Sequence, residues 1–244
     1  MNKKIPNINA RDFPTILGIN PYQTAFELLE VKIEGKHPFF GNKFTDHGNK
    51  YEKTALDTYE KETGNKVDST QKTHKHYIYE WITGRYDGLT SINIEDYSDE
   101  HQEETQNHKK RKLEESELTI INKKRNNSSS CIIEVKCPLK KDRQEPLTKD
   151  NIPVYYWAQC QVYMNLLDCE FTHYIEFYIE PNSNIENGKL YTLTVNRDRK
   201  WWNNSLPTII LFYNEVKKYH ALGNLDTHPV RLSENSWKKE TLKL

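Results

Sequence analysis

The sequence predicts an α/β domain, a mixed central β-sheet flanked by helices, and three observations carry that prediction. Cys131–Lys136 is rich in β-branched residues and is stopped by Pro138, so it reads as a strand. Phe171–Glu180 alternates and reads as another, with a helix-length segment, Pro153–Leu167, between the two. Amphipathic stretches at about Asn49–Glu62 and Asp198–Leu222 then supply flanking helices.

Taken in order, residues 1–23 read as a short polar arm ending in the turn Gly18-Ile19-Asn20-Pro21. Thr24 and Glu27 have the spacing of a capping box, in which hydroxyl and carboxylate satisfy each other's free amides, so a helix starts there. It runs to about Val31, with Gly35 just beyond. The helix Asn49–Glu62 stops at Gly64 and has Ala55, Leu56 and Tyr59 as its apolar stripe. Glu52 lies one turn before that stripe, so an acid points along a buried face and needs a partner or a metal. His76–Thr83 alternates bulky residues and reads as a strand ending at Gly84. After Phe171–Glu180, the turn Pro181–Asn187 lets Gly188–Val195 pair back on it. The last helix presents Trp202, Leu206, Ile209, Ile210, Tyr213 and Val216.

Composition narrows the class. A chain of 244 residues fits one domain with an insertion. Only 35% is hydrophobic, but 15 Tyr, 8 Phe and 5 Trp supply core material. With 35 basic and 35 acidic side chains the net charge is zero, which argues against coating nucleic acid by bulk charge and leaves room for local basic strips. The insertion is Asn93–Ser129: acidic at first, basic at Lys109-Lys110-Arg111-Lys112, then Asn- and Ser-rich, and read as a disordered excursion at a hairpin tip. Its basic run reads as a solvated charge cluster ahead of a nuclear-targeting signal. Cys131, Cys137, Cys160 and Cys169 form no Cys-x-x-Cys pair and read as buried free thiols. Met1-Asn2-Lys3-Lys4 precedes Pro6 with no apolar run, and no segment approaches the roughly 20 apolar residues of a membrane span. A soluble, intracellular protein is expected, in the cytoplasm or nucleus of a host cell.

The chemistry concentrates in a few positions. Alternation puts Ile132, Glu134 and Lys136 on one face of their strand. An acid and a base so placed form either a surface ion pair or a metal site, and the strand alone leaves both open. Asp87, in Gly84-Arg85-Tyr86-Asp87-Gly88-Leu89, is either a turn aspartate or a second carboxylate. Magnesium needs only two or three converging carboxylates, because it keeps several waters. Asp87 and Glu134 meet if their strands are neighbours, and Glu52 reaches in from its helix. Gln159 and Tyr163 share a helix face, with Tyr155 one turn earlier, as packing residues or as a pair that positions a backbone or water.

The order Glu52, Asp87-Gly88, Glu134-Val135-Lys136-Cys137-Pro138 and Gln159-x-x-x-Tyr163 resembles the PD-(D/E)xK nuclease superfamily, most closely the YqaJ-like viral recombinases and lambda-type exonucleases. Ile16-Leu17-Gly18-Ile19-Asn20-Pro21-Tyr22, Gly48-Asn49-Lys50-Tyr51-Glu52 and Tyr155-Tyr156-Trp157-Ala158-Gln159-Cys160-Gln161 extend the likeness over about Ile8 to Glu180, the insertion excepted. The resemblance implies one nuclease domain over 1–244 with a restriction-endonuclease-like core, degrading linear double-stranded DNA 5′→3′ in recombination or viral genome processing. It implies Mg2+ or Mn2+ held by Asp87, Glu134 and the Val135 carbonyl, with Glu52 as an additional acid. Lys136 would orient water and stabilise charge, and Gln159 and Tyr163 would position substrate. Its further partners would be a single-strand annealing protein and copies of the chain in a ring. Two departures stand out: Tyr86 precedes Asp87 where proline is usual, and Arg11 occupies a small or hydroxyl position. Arg11 has two readings, contact with a terminal 5′-phosphate beside Lys3 or Lys4, or a solvated arm. A structure-specific endonuclease of the same superfamily and a non-catalytic DNA-binding accessory protein are the alternatives.

Overall fold

The computed structural model describes residues 4–36, 41–68, 72–93, 128–139, 147, 151–180, 183–184 and 187–233. Among the described residues seven strands are formed: Ile8–Asn9 (β1), His74–Lys75 (β2), Ile82–Gly84 (β3), Gly88–Asn93 (β4), Ser128–Lys136 (β5), Phe171–Tyr178 (β6) and Lys189–Asn196 (β7). The helices are Phe13–Ile16 (α1), Ala25–Glu34 (α2), Lys43–Thr63 (α3), Val154–Leu167 (α4) and Arg199–Leu222 (α5). The central sheet has the order β4-β5-β6-β7, and a small sheet has the order β1-β3-β2. The central sheet is mixed, as expected. β5 and β6 run parallel, and α4 occurs in the crossover that a parallel pair requires. β4 with β5 and β6 with β7 are antiparallel.

Both faces of the central sheet are covered. Ala55, Leu56 and Tyr59 of α3 pack with Ile133, Val135, Ile175 and Phe177 on one face. Ile132 and Tyr174, with the opposite orientation in the same strands, join α4, α5 and the N-terminal segment on the other. β5 is therefore apolar on both sides, which explains its unbroken β-branched run and makes an acid at 134 conspicuous. Gly84 lets α4 approach closely: a Cβ there would lie 2.6 Å from Leu166 Cδ1 and 2.9 Å from Tyr163 Cε1.

The capping box at Thr24 forms, with Glu27 N donating to Thr24 Oγ1 and the Glu27 carboxylate accepting from Thr24 N. Several sequence expectations are corrected. The expected polar arm at 1–23 is, over its described residues 4–23, packed into the fold: Ile8, Phe13 and Ile16 are buried, β1 pairs with β3, and Phe13 stacks on Trp202. Scattered apolar residues among polar ones hid a segment that is ordered by contacts remote in sequence. His76–Thr83 is no continuous strand. Lys75 pairs with Thr83 across a turn in which the His76 ring accepts from the amides of Ile78 and Tyr79. That leaves Tyr77 and Ile78 exposed at its tip. α3 begins at Lys43 and not near Asn49, because the Asn42 side chain caps the amides of Phe44 and Thr45. Pro153 is the N-cap of α4, one place before its expected position.

The β4–β5 ladder ends at Asn93↔Ser128, so the long polar segment joins two paired strands, and its disordered character at 93–129 falls on residues 94–127, outside those described. The four cysteines are free and buried; burial pushes the Cys131 and Cys137 thiols up to about 12, which keeps them protonated and unreactive. Among the described residues no helix is long and apolar enough to cross a membrane.

Candidate active site

β5 carries Glu134 and Lys136 on the face covered by α4, and the two side chains form an ion pair. Glu134 is 2% exposed against 23% for Lys136, so the carboxylate sits at the floor and the lysine at the mouth. β4 begins at Gly88, paired with Ile133, and Asp87, one residue before it, comes level with Glu134. In place of a ladder bond, Val135 N donates to Asp87 Oδ2 at 2.8 Å. The long sequence distance between the two acids is thus closed by the β4–β5 pairing. Gly88 enforces the approach from below, since a Cβ there would lie 2.4 Å from Val67 Cγ1.

α4 supplies a fixed chain of hydrogen bonds over this floor. Gln159 Nε2 donates to Glu134 Oε1 at 3.0 Å and to the Tyr163 hydroxyl at 2.7 Å. Tyr163 donates in turn to the Arg85 carbonyl at 2.9 Å. A hydroxyl that spends its hydrogen on a carbonyl must accept from its other neighbour, so the Gln159 amide has one orientation and its nitrogen faces Glu134. Glu134 Oε1 is thereby held by both Lys136 and Gln159. Its other oxygen, Oε2, is buried and has no hydrogen-bond partner among the described residues.

An orphaned carboxylate oxygen at this depth is costly, and the electrostatics register it. Burial and the neighbouring Asp87 push the Glu134 carboxyl up to about 8, against the pull of Lys136. Burial also raises Asp87, opposed by Lys136 and by the Val135 amide. Burial acts to lower Lys136, but Glu134 and Asp87 outweigh it and the net shift is upward, so the ammonium stays protonated. Two buried acids that resist ionisation beside one fixed ammonium form a centre short of positive charge. A divalent cation would supply that charge, and Oε2 is a donor atom of the hard type such a cation takes.

The structure thus brings together Asp87, Glu134, Lys136, Gln159 and Tyr163. Glu52 arrives from α3, which packs on the opposite face of the sheet, and is half-buried. Its charge bears on Glu134 and Cys137, but among the described residues no group of three His, Cys, Asp or Glu side chains is arranged to hold a metal. Arg11 is exposed on the 3₁₀ turn Ala10–Asp12, which packs on α4. Tyr156 went unassigned in the sequence, yet its ring lies 4.8 Å under Lys136 Nζ. Its position three residues before Gln159 on one helix face was the available signal. Tyr174 and Glu176, opposite Glu134 and Lys136 in β6 and bonded to each other at 2.8 Å, were likewise missed.

Solved structures share this architecture. An alkaline exonuclease, LHK-Exo, from Laribacter hongkongensis is 14% identical with a TM-score of 0.60, over 89% of this chain and 92% of that one. Its complex with dAMP matches at 14% identity and a TM-score of 0.61, over 93% and 95%. A phage-related exonuclease from Haemophilus somnus 129PT is 16% identical with a TM-score of 0.54, over 89% and 94%. At such identities the likeness establishes the fold, the restriction-endonuclease-like α/β core of these exonucleases. No curated protein matches the chain in sequence. The family model for the YqaJ-like viral recombinase domain matches residues 3–170, most of the chain and the elements that carry Asp87, Glu134, Lys136, Gln159 and Tyr163, and the chain belongs to that family.

Proposed function

We propose that this protein is a metal-dependent DNA exonuclease that degrades linear duplex DNA in recombination or viral genome processing, with 5′→3′ polarity. The observation that carries the reading is the buried, unpartnered Glu134 Oε2 beside Asp87, under a protonated lysine. Asp87 and Glu134 would hold Mg2+ or Mn2+. The Val135 carbonyl would join them, since N–H and C=O of one strand residue face the same edge and that N–H already meets Asp87. Glu52 would act on the ion from a greater distance. When bound, the cation acidifies water and stabilises charge on the scissile phosphate.

The chain's own groups do the rest. Lys136 keeps its proton, so its part is electrostatic: it holds Glu134 and presents positive charge to the phosphate at the mouth of the site. Gln159 fixes the Glu134 carboxylate so that Oε2 stays turned away from Lys136. Tyr163 and the Arg85 carbonyl fix Gln159. Arg11 and the solvent-facing end of α4 would meet the DNA backbone.

The test is digestion of one linear duplex labelled at either end, with and without a 5′-phosphate, in Mg2+, Mn2+ or EDTA. End-dependent release of nucleotides in metal alone, abolished by Glu134→Ala and by Lys136→Ala, is expected. Undiminished degradation by both variants would remove the assignment, and nicking of covalently closed circles would replace the exonuclease with an endonuclease.

A further inference from the structure

The aromatic groups leading away from Lys136 form a continuous path to solvent. The Tyr156 ring lies 4.8 Å from Lys136 Nζ. Tyr155 meets Tyr156 with centroids 4.4 Å apart at 60°. Tyr22 meets Tyr155 at 5.9 Å and 79°. Tyr156 rests on the main core, whereas Tyr22 is 80% exposed. The path therefore runs from a ring anchored beside the ammonium to a ring standing in water.

Tyr22 is nonetheless held. Its amide donates to Asn20 Oδ1 at 3.0 Å, and Asn20 Nδ2 donates to Oγ1 of the buried Thr15 at 2.7 Å. The amides of Ile19 and Asn20 both donate to the Pro14 carbonyl. The Thr24 capping box closes the loop on its far side. A large aromatic ring displayed on a fixed loop, stacked edgewise on a second ring, contributes little to the core. It is preorganised for a flat ligand.

We propose that Tyr22, Tyr155 and Tyr156 form a nucleobase-stacking step, which receives the bases adjoining the phosphate that lies at the Glu134–Lys136 centre. The identity of the ligand rests on the nuclease reading above. A nucleotide whose phosphate meets Lys136 has its base one sugar away, and the rings of Tyr156 and Tyr155 begin at that remove. Every base has a π-face, so such a step tolerates any sequence, as processive degradation requires. Burial pushes the Tyr156 phenol up, and burial together with the Tyr22 hydroxyl does the same for Tyr155. Both rings stay uncharged in alkaline solution and do not repel phosphate.

The experiment uses linear DNA with 2-aminopurine near the 5′ end, titrated in EDTA so that nothing is cleaved, and then steady-state digestion in Mg2+. The full-length wild type should shift the 2-aminopurine emission in the manner of a stacked base. Tyr22→Leu should lose most of that shift and raise KM by about 5- to 100-fold with kcat kept. Tyr22→Trp should restore both. Because Tyr22 is exposed, an unchanged melting temperature is expected and separates the effect from misfolding. Unaltered KM and emission in Tyr22→Leu, or a wild type that leaves the emission unshifted, overturns the step. Stacking without cleavage by the wild type would instead remove the nuclease reading and leave the step standing.

Discussion

The amide of Val135 donates to Asp87 Oδ2 at 2.8 Å, just before the first residue of β4, where β5 runs on past its partner strand. The acid takes the place of the missing strand and is locked level with Glu134. Asn at 87 can still accept that bond, so Asp87→Asn removes charge and keeps geometry. Asp87→Asn and Glu134→Gln should each lower kcat by about a thousandfold or more, the several kcal/mol that a catalytic metal contributes. Their melting temperatures should hold or rise, because a buried charge has been removed. Isothermal titration with Mn2+ should show the loss as metal affinity. Wild-type affinity in both variants would dismiss these residues as ligands.

In the proposed mechanism Gln159 acts through Glu134, to which it donates. Gln159→Leu leaves Glu134 Oε1 with Lys136 alone and Tyr163 without its donor. A net hydrogen bond to a charged group is worth about 1.5–3 kcal/mol, so activity should fall about ten- to a hundredfold. Gln159→Glu should be worse, since it sets a third acid beside two. Tyr163→Phe should cost less than Gln159→Leu, because it leaves the bond to Glu134 in place. Equal losses in kcat would show that the amide does nothing without its orienter.

Gly84 is a packing constraint on α4, and the proposed site predicts a catalytic consequence. In Gly84→Ala the new methyl group would lie within 3 Å of Leu166 and Tyr163, so α4 has to shift. A loss of about 1–3 kcal/mol in urea unfolding is expected, with a fall in activity larger than Leu166→Ala produces at similar stability. Unperturbed activity in Gly84→Ala would mean that α4 does not need its close seat to place Gln159.

His173 gives the fold a defined acid sensitivity. It is 2% exposed and its Nδ1 meets the Tyr59 hydroxyl at 2.7 Å, and burial pushes the ring down to about 4. The unfolded chain takes up this proton near pH 6.5 and the native protein does not until about pH 4, so stability falls as pH drops through that window. At pH 5 the difference is about 2 kcal/mol. Chemical unfolding of His173→Gln between pH 7.5 and pH 5 should show a slope smaller by that amount. An identical slope would place the acid sensitivity elsewhere.

Legibility followed sequence distance. The capping box at Thr24, the stop of α3 at Gly64, the strand Cys131–Lys136 and the pairing of β6 with β7 were readable because periodicity and capping depend on neighbours a few residues apart. The alternation in β5 placed Glu134 and Lys136 together for the same reason. The buried N-terminal segment was not readable. Its order comes from β3 and Trp202, which nothing local announces. The turn within His76–Thr83 was missed as well, since bulky residues alternate there although His76 caps a turn with its ring.

By itself, the sequence determined which acids, which lysine and which amide the chain carries, on which element each rides, and the family to which their order belongs. Only the tertiary structure decided that Glu134 keeps one oxygen bare, that Glu52 approaches from the far side of the sheet, and that Tyr22 is displayed on the path leading from Lys136. Orientation of a side chain within its element is a local property, fixed by backbone period. Whether an atom finds a partner depends on every element packed around it, and that is settled only when the layers close.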